Sequence, residues 1–312
     1  MGTATTSKIP LILLFGPTAV GKTDLVLELF RGRGEIVNVD SVQVYRKLDI
    51  GSAKPDSSFL EELPHHLIDI RDISEKFNAA DFIRLADEAI VDIHNRGLIP
   101  VLAGGTAFYF KNFCLGLKEG PPPSDPAVRG ELEGLAVAGG LGELWEELKH
   151  VDPSYAAKIH PNDQLRIVRA MEVFRISGRP LSSFEQGEVF RDCYDYCLIG
   201  LTRDREELYR RIDLRVDIMM KEGLVDEIKG LLAAGATEDD PGLNAIGYKE
   251  FFEMGRRGCM TMADTADRIR RNSRRYAKRQ MTFFQSLPGV SWFHPEKKEE
   301  ISSHIENFLS KQ

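Results

Sequence analysis

The sequence predicts an α/β fold in which a parallel sheet carries helices on both faces and a helical insertion interrupts the chain. Three observations support this prediction. Short apolar runs alternate with amphipathic segments along the first third of the 312 residues, and a glycine-bounded loop joins the first run to the first amphipathic segment. Beyond them, a proline-rich connector opens a long stretch that has helical periodicity only.

The first hundred residues supply the alternating elements. The continuous apolar run from Ile9 to Phe15 predicts a buried strand, and Lys22 to Phe30 predicts the helix that follows. Glu35 to Val39 predicts a second strand. Apolar residues at helical spacing predict a helix from Ala80 to Asn95, and Ile99 to Ala103 predicts a third strand. This alternation is typical of a sheet with parallel strands and crossover helices.

The middle of the chain predicts a separate helical unit. Gly120 to Pro126 is a stiff, turn-rich connector, and Ala127 to Phe184 has helical character throughout. A strand pattern returns after residue 190. We therefore predict a P-loop catalytic core formed by residues 1–119 and 191–312, and a helical insertion domain formed by residues 120–190.

Composition excludes several classes of protein. A hydrophobic fraction of 42% and a charged fraction of 29% argue against disorder, and a net charge of −7 gives no overall basic field. The N-terminal residues lack the layout of a signal peptide, and no apolar run reaches the roughly 18 residues that span a bilayer. The four cysteines are not at zinc-binding spacing. We expect a soluble, cytoplasmic protein with free thiols, without an obligate partner and monomeric.

The loop after the first strand has the pattern of a phosphate-binding loop. Its glycines let backbone N–H groups converge on phosphate oxygens at a helix N-terminus, as in ATP-binding and other nucleotide-binding proteins. The lysine adds a point charge, and the Thr23 hydroxyl is a candidate ligand of Mg²⁺. We predict a bound di- or triphosphate with Mg²⁺ as cofactor. The predicted residues are Gly16, Pro17, Thr18, Ala19, Val20, Gly21, Lys22 and Thr23.

A second polar loop follows the second strand. Asp40, Ser41 and Gln43 place a carboxylate, a hydroxyl and an amide at its carboxyl end, where ligands of parallel sheets bind. The third strand ends without the acid that holds Mg²⁺ in standard ATPases. Asp40 could therefore accept a proton or replace that acid, Ser41 and Gln43 could bind a base edge, and an ordinary surface Asx turn is the remaining alternative.

Eight sequence blocks, in order, resemble the tRNA dimethylallyltransferase (tRNA isopentenyltransferase) family, and the resemblance covers nearly the whole chain. The blocks are GPTAVGKT, DSVQVYRKLDIGSAKP, PHHLID, AGGTAFYFK, HPNDQLRIVRAMEVFRISGRPL, RIDLRVDIM, AIGYKE and YAKRQMTFF. The family implies transfer of a dimethylallyl group from dimethylallyl diphosphate to the exocyclic amine of adenosine 37 of tRNA. Departures from the family pattern include Ser52, Ala107 and Phe283; Ala107 replaces a glycine, which puts a left-handed conformation there in doubt.

The resemblance assigns roles to particular residues. It makes Asp40 the base, places Thr106 near the bridging oxygen and the reacting amine, and makes Arg215 a diphosphate ligand. From the residues alone, Thr106 could equally be a helix N-cap. Arg215 lies on the apolar stripe of its helix, so it either snorkels or meets an anion. Arg210 and Arg211 lie off that stripe and are expected to be solvated.

Local basic clusters predict contacts to tRNA. The segment from Arg268 to Gln280 has seven basic residues and no acid, with apolar residues every seven positions, so it predicts an amphipathic helix with a cationic outer face. The family places Arg129 and the run 165–169 against tRNA. The predicted tRNA contacts are Asp40, Ser41, Val42, Gln43, Thr106, Arg129, Leu165, Arg166, Ile167, Val168, Arg169, Arg271, Arg274 and Arg275.

Two other functions keep the phosphate loop. One is a kinase or prenyltransferase that acts on small molecules, and the other is a nucleotide-gated RNA-binding module without catalysis. Neither a kinase nor a small-molecule prenyltransferase needs the basic helix. We expect His65 and His66 to be structural, because no other ligand type lies near them at metal-binding spacing.

Overall fold

The chain divides into two compact units. The computed structural model describes residues 8–116, 120–184, 190–258 and 261–311. Met1–Cys114 and Arg191–Gln312 form one unit, which we call the core unit, and Leu115–Phe190 form the other, the insertion unit. In the part of the chain that the structure describes, no helix is both long and apolar enough to cross a membrane.

The core unit is built on a sheet in which the described strands are all parallel. Their spatial order is β3-β2-β4-β1-β5-β6, so β1 lies between β4 and β5 and pairs with both. This sheet confirms the predicted fold class. The strands are β1 (Ile9–Phe15), β2 (Gly34–Val39), β3 (His65–His66), β4 (Ile99–Gly104), β5 (Tyr194–Leu201) and β6 (Ser291–Phe293).

Helices account for most of the remaining described chain. Those of the first part are α1 (Lys22–Phe30), α2 (Ser57–Glu62), α3 (Ala79–Asn95) and α4 (Ala107–Leu115). The middle part contains α5 (Pro126–Leu135), α6 (Leu141–Val151), α7 (Pro153–Ala156) and α8 (Gln164–Ser177). The last part contains α9 (Arg205–Glu222), α10 (Leu224–Ala233), α11 (Lys249–Arg257), α12 (Met262–Phe284) and α13 (Lys298–Leu309).

Both faces of the sheet are buried because neighbouring residues of a strand point to opposite sides. Ile12 and Leu14 of β1 belong to a core cluster with side chains of α1, α9 and α13. Phe15 stacks on Phe284 of α12 and meets the edge of Phe110 of α4. Side chains of β1 therefore pack against α1, α9 and α13 through Ile12 and Leu14, and against α4 and α12 through Phe15.

The insertion unit has a small helical core of its own. Leu132, Leu148, Ile167 and Met171 are buried where α5, α6 and α8 pack together. The Asp125 side chain caps α5 by accepting hydrogen bonds from two backbone N–H groups. The helical character predicted for this stretch is present over the described residues up to 184.

Candidate active site

Three loops meet beyond the carboxyl ends of adjacent strands and line one pocket of about 350 Å³. They are the phosphate loop after β1, the Asp40 loop after β2 and the Gly105 loop after β4. Two helices complete the wall, with Arg211 and Arg215 from α9 and Gln280 from α12. The topology brings these segments together because β2, β4 and β1 are neighbours in the sheet.

The phosphate loop ends at the N-terminus of α1. Gly21, the residue before the helix, has a φ of 107°, a conformation that favours glycine. The Lys22 ammonium donates to the carbonyl oxygens of Gly16 at 2.9 Å and Pro17 at 3.0 Å. Thr23 follows in the first helical turn, and its side chain is exposed and lines the pocket. The loop thus presents a cation and a hydroxyl to the same space.

The surroundings of Lys22 lower the pKa of its side chain. Burial, and then the nearby positive charge of Arg215, lower the pKa of Lys22 from 10.5 to about 7, while Asp40 opposes the shift. An anion in the pocket would favour the charged ammonium. Whether Lys22 is charged near neutral pH therefore depends on whether an anion is bound at the phosphate loop.

Two arginines hold the phosphate loop from outside. Arg211 Nε donates to the carbonyl oxygen of Ala19 at 2.8 Å, and Arg203 Nε donates to that of Val20 at 2.8 Å. The expectation that Arg211 is solvated is wrong, since it lines the pocket. Arg210, its neighbour, is exposed as expected. Helical periodicity alone did not identify Arg211 as a pocket residue, because its partner Ala19 is 192 positions away in the chain.

Backbone donors hold the Asp40 carboxylate at the pocket wall. Its Oδ1 accepts hydrogen bonds from the N–H groups of Val42 at 2.8 Å and Gln43 at 3.2 Å, so an Asx turn is present. The turn and a chemical role are compatible, because the same residue lines the pocket with Lys22 and Arg215. These bonds orient the carboxylate before any ligand binds.

Gln43 is engaged inside the protein. Its Nε2 donates to the carbonyl oxygens of Ser52 at 3.2 Å and Ala53 at 3.1 Å, and its Oε1 accepts from Asn38 at 3.1 Å. Arg215 Nη2 donates to the same Ser52 oxygen at 3.1 Å. Burial lowers the pKa of Arg215 and the charge of Asp40 raises it. The loop that contains Ser52 therefore links the predicted base-reading amide to the predicted diphosphate ligand.

Thr106 lies between the Asp40 loop and α4. It is buried, and its Oγ1 accepts a hydrogen bond from the N–H of Ser41 at 3.0 Å. Its own N–H donates to Val39 at 3.0 Å. The next residue, Ala107, begins α4 and is not in the left-handed region, so the alanine does not strain the backbone.

Two pocket residues on α12, Tyr276 and Gln280, were not among the predicted site residues, although both lie in the block YAKRQMTFF. Gln280 Oε1 accepts from the N–H of Thr18 at 3.0 Å, and its Nε2 donates to Gly105 at 2.7 Å. Tyr276 lies one turn earlier, and burial raises its pKa to about 12 against hydrogen bonds from Thr106 and Gln280. The inner face of this helix belongs to the pocket.

The outer face of α12 is less uniformly cationic than predicted. Arg274 pairs with Asp213 of α9 at 2.6 Å. Arg268 and Arg270 also form ion pairs, with Glu253, Asp217 and Asp267. By contrast, Arg271 and Arg275 are exposed and form no ion pair with any described residue. The expectation of an acid-free strip is wrong for the paired arginines, because α9, α11 and the first part of α12 itself supply the acids.

The predicted tRNA contacts of the insertion unit fall into two groups. Leu165 and Arg166 are exposed, and the half-buried Arg169 pairs with the buried Glu172 at 2.6 Å. Ile167 and Val168 lie in the core of this unit. Their side chains cannot form a binding surface here. Arg129 is half-buried and pairs with Glu133 at 2.9 Å.

The two histidines next to each other have protein partners. His65 Nδ1 lies 2.7 Å from the carbonyl oxygen of Leu63, and His66 Nε2 lies 2.7 Å from Glu35. Among the described residues, the one cluster with metal-ligand spacing is Glu207, His294 and Glu296, outside the pocket. Arg203 forms ion pairs with both glutamates of that cluster, so a guanidinium already offsets part of their negative charge.

Known proteins resemble this chain over almost its full length. A family model described as IPP transferase matches residues 43–287. A tRNA dimethylallyltransferase 2 of Geotalea uraniireducens is 46% identical over 97% of this chain and 98% of its own length. A tRNA dimethylallyltransferase of Geobacter sulfurreducens is 44% identical over 99% of this chain and 100% of its own.

Solved structures of known enzymes are also similar to this chain. The tRNA isopentenylpyrophosphate transferase of Bacillus halodurans is 40% identical, with a TM-score of 0.70 and coverage of 97% of this chain and 98% of that one. A eukaryotic dimethylallyltransferase, described as acting on tRNA, is 29% identical, with a TM-score of 0.74 over 91% and 74% of the two chains. The chain therefore belongs to the IPP transferase family, the enzyme family of the tRNA dimethylallyltransferases.

Proposed function

We propose that this chain transfers a dimethylallyl group from dimethylallyl diphosphate to tRNA. The acceptor is N6 of the adenosine at position 37, next to the anticodon, and diphosphate is released. The observation that carries the proposal is that one pocket contains both a phosphate-binding loop with Lys22 and the Asp40 carboxylate. Relatives named tRNA dimethylallyltransferase support the same reaction class.

The donor would bind with its diphosphate at the phosphate loop. Lys22 and Arg215 line the pocket and supply positive charge, and backbone N–H groups at the start of α1 supply fixed donors. Negative charge develops on the diphosphate as the bond between its oxygen and the allyl carbon breaks. Donors that are already in place stabilise that charge without reorganising.

The acceptor amine would approach from the Asp40 side. As the new bond forms between N6 and the allyl carbon, N6 must lose a proton, and we assign Asp40, a carboxylate that lines the pocket after β2, to accept it. General base catalysis of this kind contributes about 10²–10⁴-fold. In our assignment the Thr106 hydroxyl, which accepts a hydrogen bond from the N–H of Ser41 next to Asp40, orients the amine. To reach the pocket, the adenine must first leave its stacked position in the tRNA.

Mg²⁺ fits the oxygen donors of the pocket. The Thr23 hydroxyl and the Asp40 carboxylate both line it, and Mg²⁺ prefers oxygen ligands from one or two protein groups, water and substrate phosphates. When bound, the ion neutralises charge on the diphosphate. We assign Thr23 as the protein ligand and keep Asp40 as the alternative.

The tRNA would contact the exposed arginines. Arg271 and Arg275 on α12 and Arg166 on α8 have charged ends in solvent, where they can meet phosphates. The net charge of −7 disfavours non-specific binding elsewhere on the protein. These exposed basic groups, of which Arg166 also pairs with Asp163, favour a nucleic-acid acceptor over a free nucleotide. A kinase or a small-molecule prenyltransferase would need no such surface.

The proposal is tested with labelled dimethylallyl diphosphate, Mg²⁺ and three acceptors. These are a tRNA with adenosine at position 37, the same tRNA with guanosine there, and AMP. We expect label on the first acceptor alone. Label on AMP would indicate a small-molecule prenyltransferase, and ATP hydrolysis without any labelled product would indicate a nucleotide-gated RNA-binding module.

A further inference from the structure

Gln280 connects two of the loops that form the pocket. Its side chain is only 3% exposed, on the inner face of α12. The Oε1 atom accepts a hydrogen bond from the N–H of Thr18 in the phosphate loop, and Nε2 donates to the carbonyl oxygen of Gly105 after β4. A buried amide is costly unless both of its ends are bonded. Here both bonds go to backbone groups of different loops.

The fit between the amide and the Gly105 loop is also steric. A Cβ atom at Gly105 would lie 2.7 Å from Gln280 Nε2, which is closer than such atoms approach. The same Cβ would lie 3.8 Å from the carbonyl oxygen of Gly16. The amide is therefore packed against the Gly105 loop, at the point where that loop approaches the start of the phosphate loop.

The hydrogen bonds of Gln280 connect the loop proposed to bind the donor with the loop next to the residues proposed to bind the acceptor. Thr18 belongs to the loop that would hold the diphosphate. Gly105 precedes Thr106, whose Oγ1 is bonded to the N–H of Ser41 next to Asp40. A path of hydrogen bonds thus joins the donor loop to the acceptor side through one amide group.

We propose that Gln280 is a positioning residue for the transfer reaction. It holds the phosphate loop at a fixed distance from Thr106 and Asp40, and so sets the distance between the allyl carbon and the acceptor amine. This inference rests on the proposed function. Misplacement of reacting groups by about 1 Å can cost roughly 10²-fold in rate.

Replacement by a carboxyl group tests the bridge directly. In Gln280→Glu, an ionised carboxylate still accepts from Thr18 but repels the Gly105 oxygen, whereas a protonated carboxyl group can donate to that oxygen and restore both bonds. Burial raises the pKa of such a carboxyl group. We expect a single-turnover rate, at saturating donor, about 10- to 100-fold below wild type at pH 8 and approaching wild type near pH 6.

The matched control is Asn272→Asp on the same helix. Asn272 Nδ2 donates to Glu250 at 2.7 Å and touches neither loop. The same change from amide to acid there can lower stability, but it should leave the single-turnover rate of the folded enzyme within about threefold of wild type. Lys22 changes charge near neutral pH in every variant, so rates are compared with wild type at each pH.

A second measurement does not depend on prenyl transfer. Gln280→Met removes both hydrogen bonds at similar volume and without charge, and hydrogen exchange of the Thr18 amide, followed by NMR, should become at least about tenfold faster. Unchanged Thr18 exchange, or a rate ratio of Gln280→Glu that does not depend on pH, would overturn the proposal. A wild-type protein without transferase activity would instead overturn the proposed function, and Thr18 exchange would still decide the bridge.

Discussion

Lys22 experiences opposing influences in the pocket. Burial and Arg215 disfavour its charged form, and Asp40 favours it, with a resulting pKa of about 7. Without a ligand, its ammonium donates to the carbonyl oxygens of its own loop. A phosphate chain would offer stronger, charged acceptors in place of these neutral ones. Binding of an anion is therefore coupled to the proton on Lys22.

Diphosphate binding should weaken as pH rises above 7. The bound anion raises the pKa of Lys22, so the complex holds a proton that the free protein loses above pH 7, and the affinity falls by up to about tenfold per pH unit. In Lys22→Arg the charge is permanent, and this contribution disappears. Calorimetric titration with inorganic diphosphate from pH 6 to 9 measures the difference, because the ligand's own ionisation is common to both proteins. Parallel pH profiles would exclude this coupling.

Asp40 has two candidate roles that one substitution separates. Asp40→Asn keeps the shape and hydrogen bonds of the side chain but cannot accept a proton, so a general base predicts a single-turnover rate lower by about 10²–10⁴-fold with both substrates still bound. If Asp40 instead holds Mg²⁺, excess Mg²⁺ should restore much of the rate. Single-turnover rates measured against Mg²⁺ concentration decide, and we expect no rescue.

At the scale of elements, α12 joins two functions on opposite faces. Its inner face carries Tyr276 and Gln280 into the pocket, and its outer face carries arginines. On that outer face, Arg270 and Arg274 are neutralised by Asp217 and Asp213 of α9. Along the helix, the paired Arg270 and Arg274 alternate with the exposed Arg271 and Arg275. Substituting one pair at a time therefore separates their contributions to tRNA binding.

The exposed and paired arginines of α12 should differ in their effect on tRNA binding. Arg271→Ala with Arg275→Ala should reduce the slope of log affinity against log salt by about 0.7–0.9 per lost phosphate contact. The matched control, Arg270→Ala with Arg274→Ala, removes the same charge from groups already paired, and should change the slope much less. Filter binding over a range of salt concentrations tests this, and equal slopes for both double variants would contradict it.

The elements with a long apolar pattern could be predicted from sequence. The predicted bounds of β1 and α1 match the structure, and those of β2, α3 and β4 differ by one residue at an end. The strands β3 and β6, of two and three residues, are too short to show any periodicity.

Contacts between distant elements could not be predicted in the same way. Arg270 and Asp217 are 53 positions apart in the chain, and Gln280 and Thr18 are 262 apart. Their meeting depends on how α9 and α12 pack, which local pattern does not determine. For the same reason, Arg211 was assigned to solvent although it holds the phosphate loop.

At the scale of the whole molecule, the two chain segments that form the core unit meet each other. The N–H of Arg191 donates to the carbonyl oxygen of Cys114 at 2.8 Å, so the two ends of the core unit's chain meet. The insertion unit has its own apolar core. Each unit therefore contains the packing that it needs to fold.

Replacing residues 116–190 with a short glycine linker should leave the core unit folded. Affinity for inorganic diphosphate should stay within about threefold of the full chain, because the phosphate loop and its supports lie in the core unit. Affinity for tRNA should fall by at least about tenfold, through loss of Arg129, Arg166 and Arg169. Thermal melting confirms folding, and undiminished tRNA affinity would show that the insertion makes no contact.

Transfer of a dimethylallyl group to tRNA is most directly tested in cells. Nucleosides from tRNA of a strain that lacks this protein are analysed by mass spectrometry, with strains complemented by wild type and by Lys22→Ala, a change expected to cost about 3 kcal/mol or more of transition-state stabilisation. We predict that prenylated adenosine disappears in the deletion strain, returns with wild type and stays greatly reduced with Lys22→Ala. Unchanged prenylated adenosine in the deletion strain would contradict the proposed function.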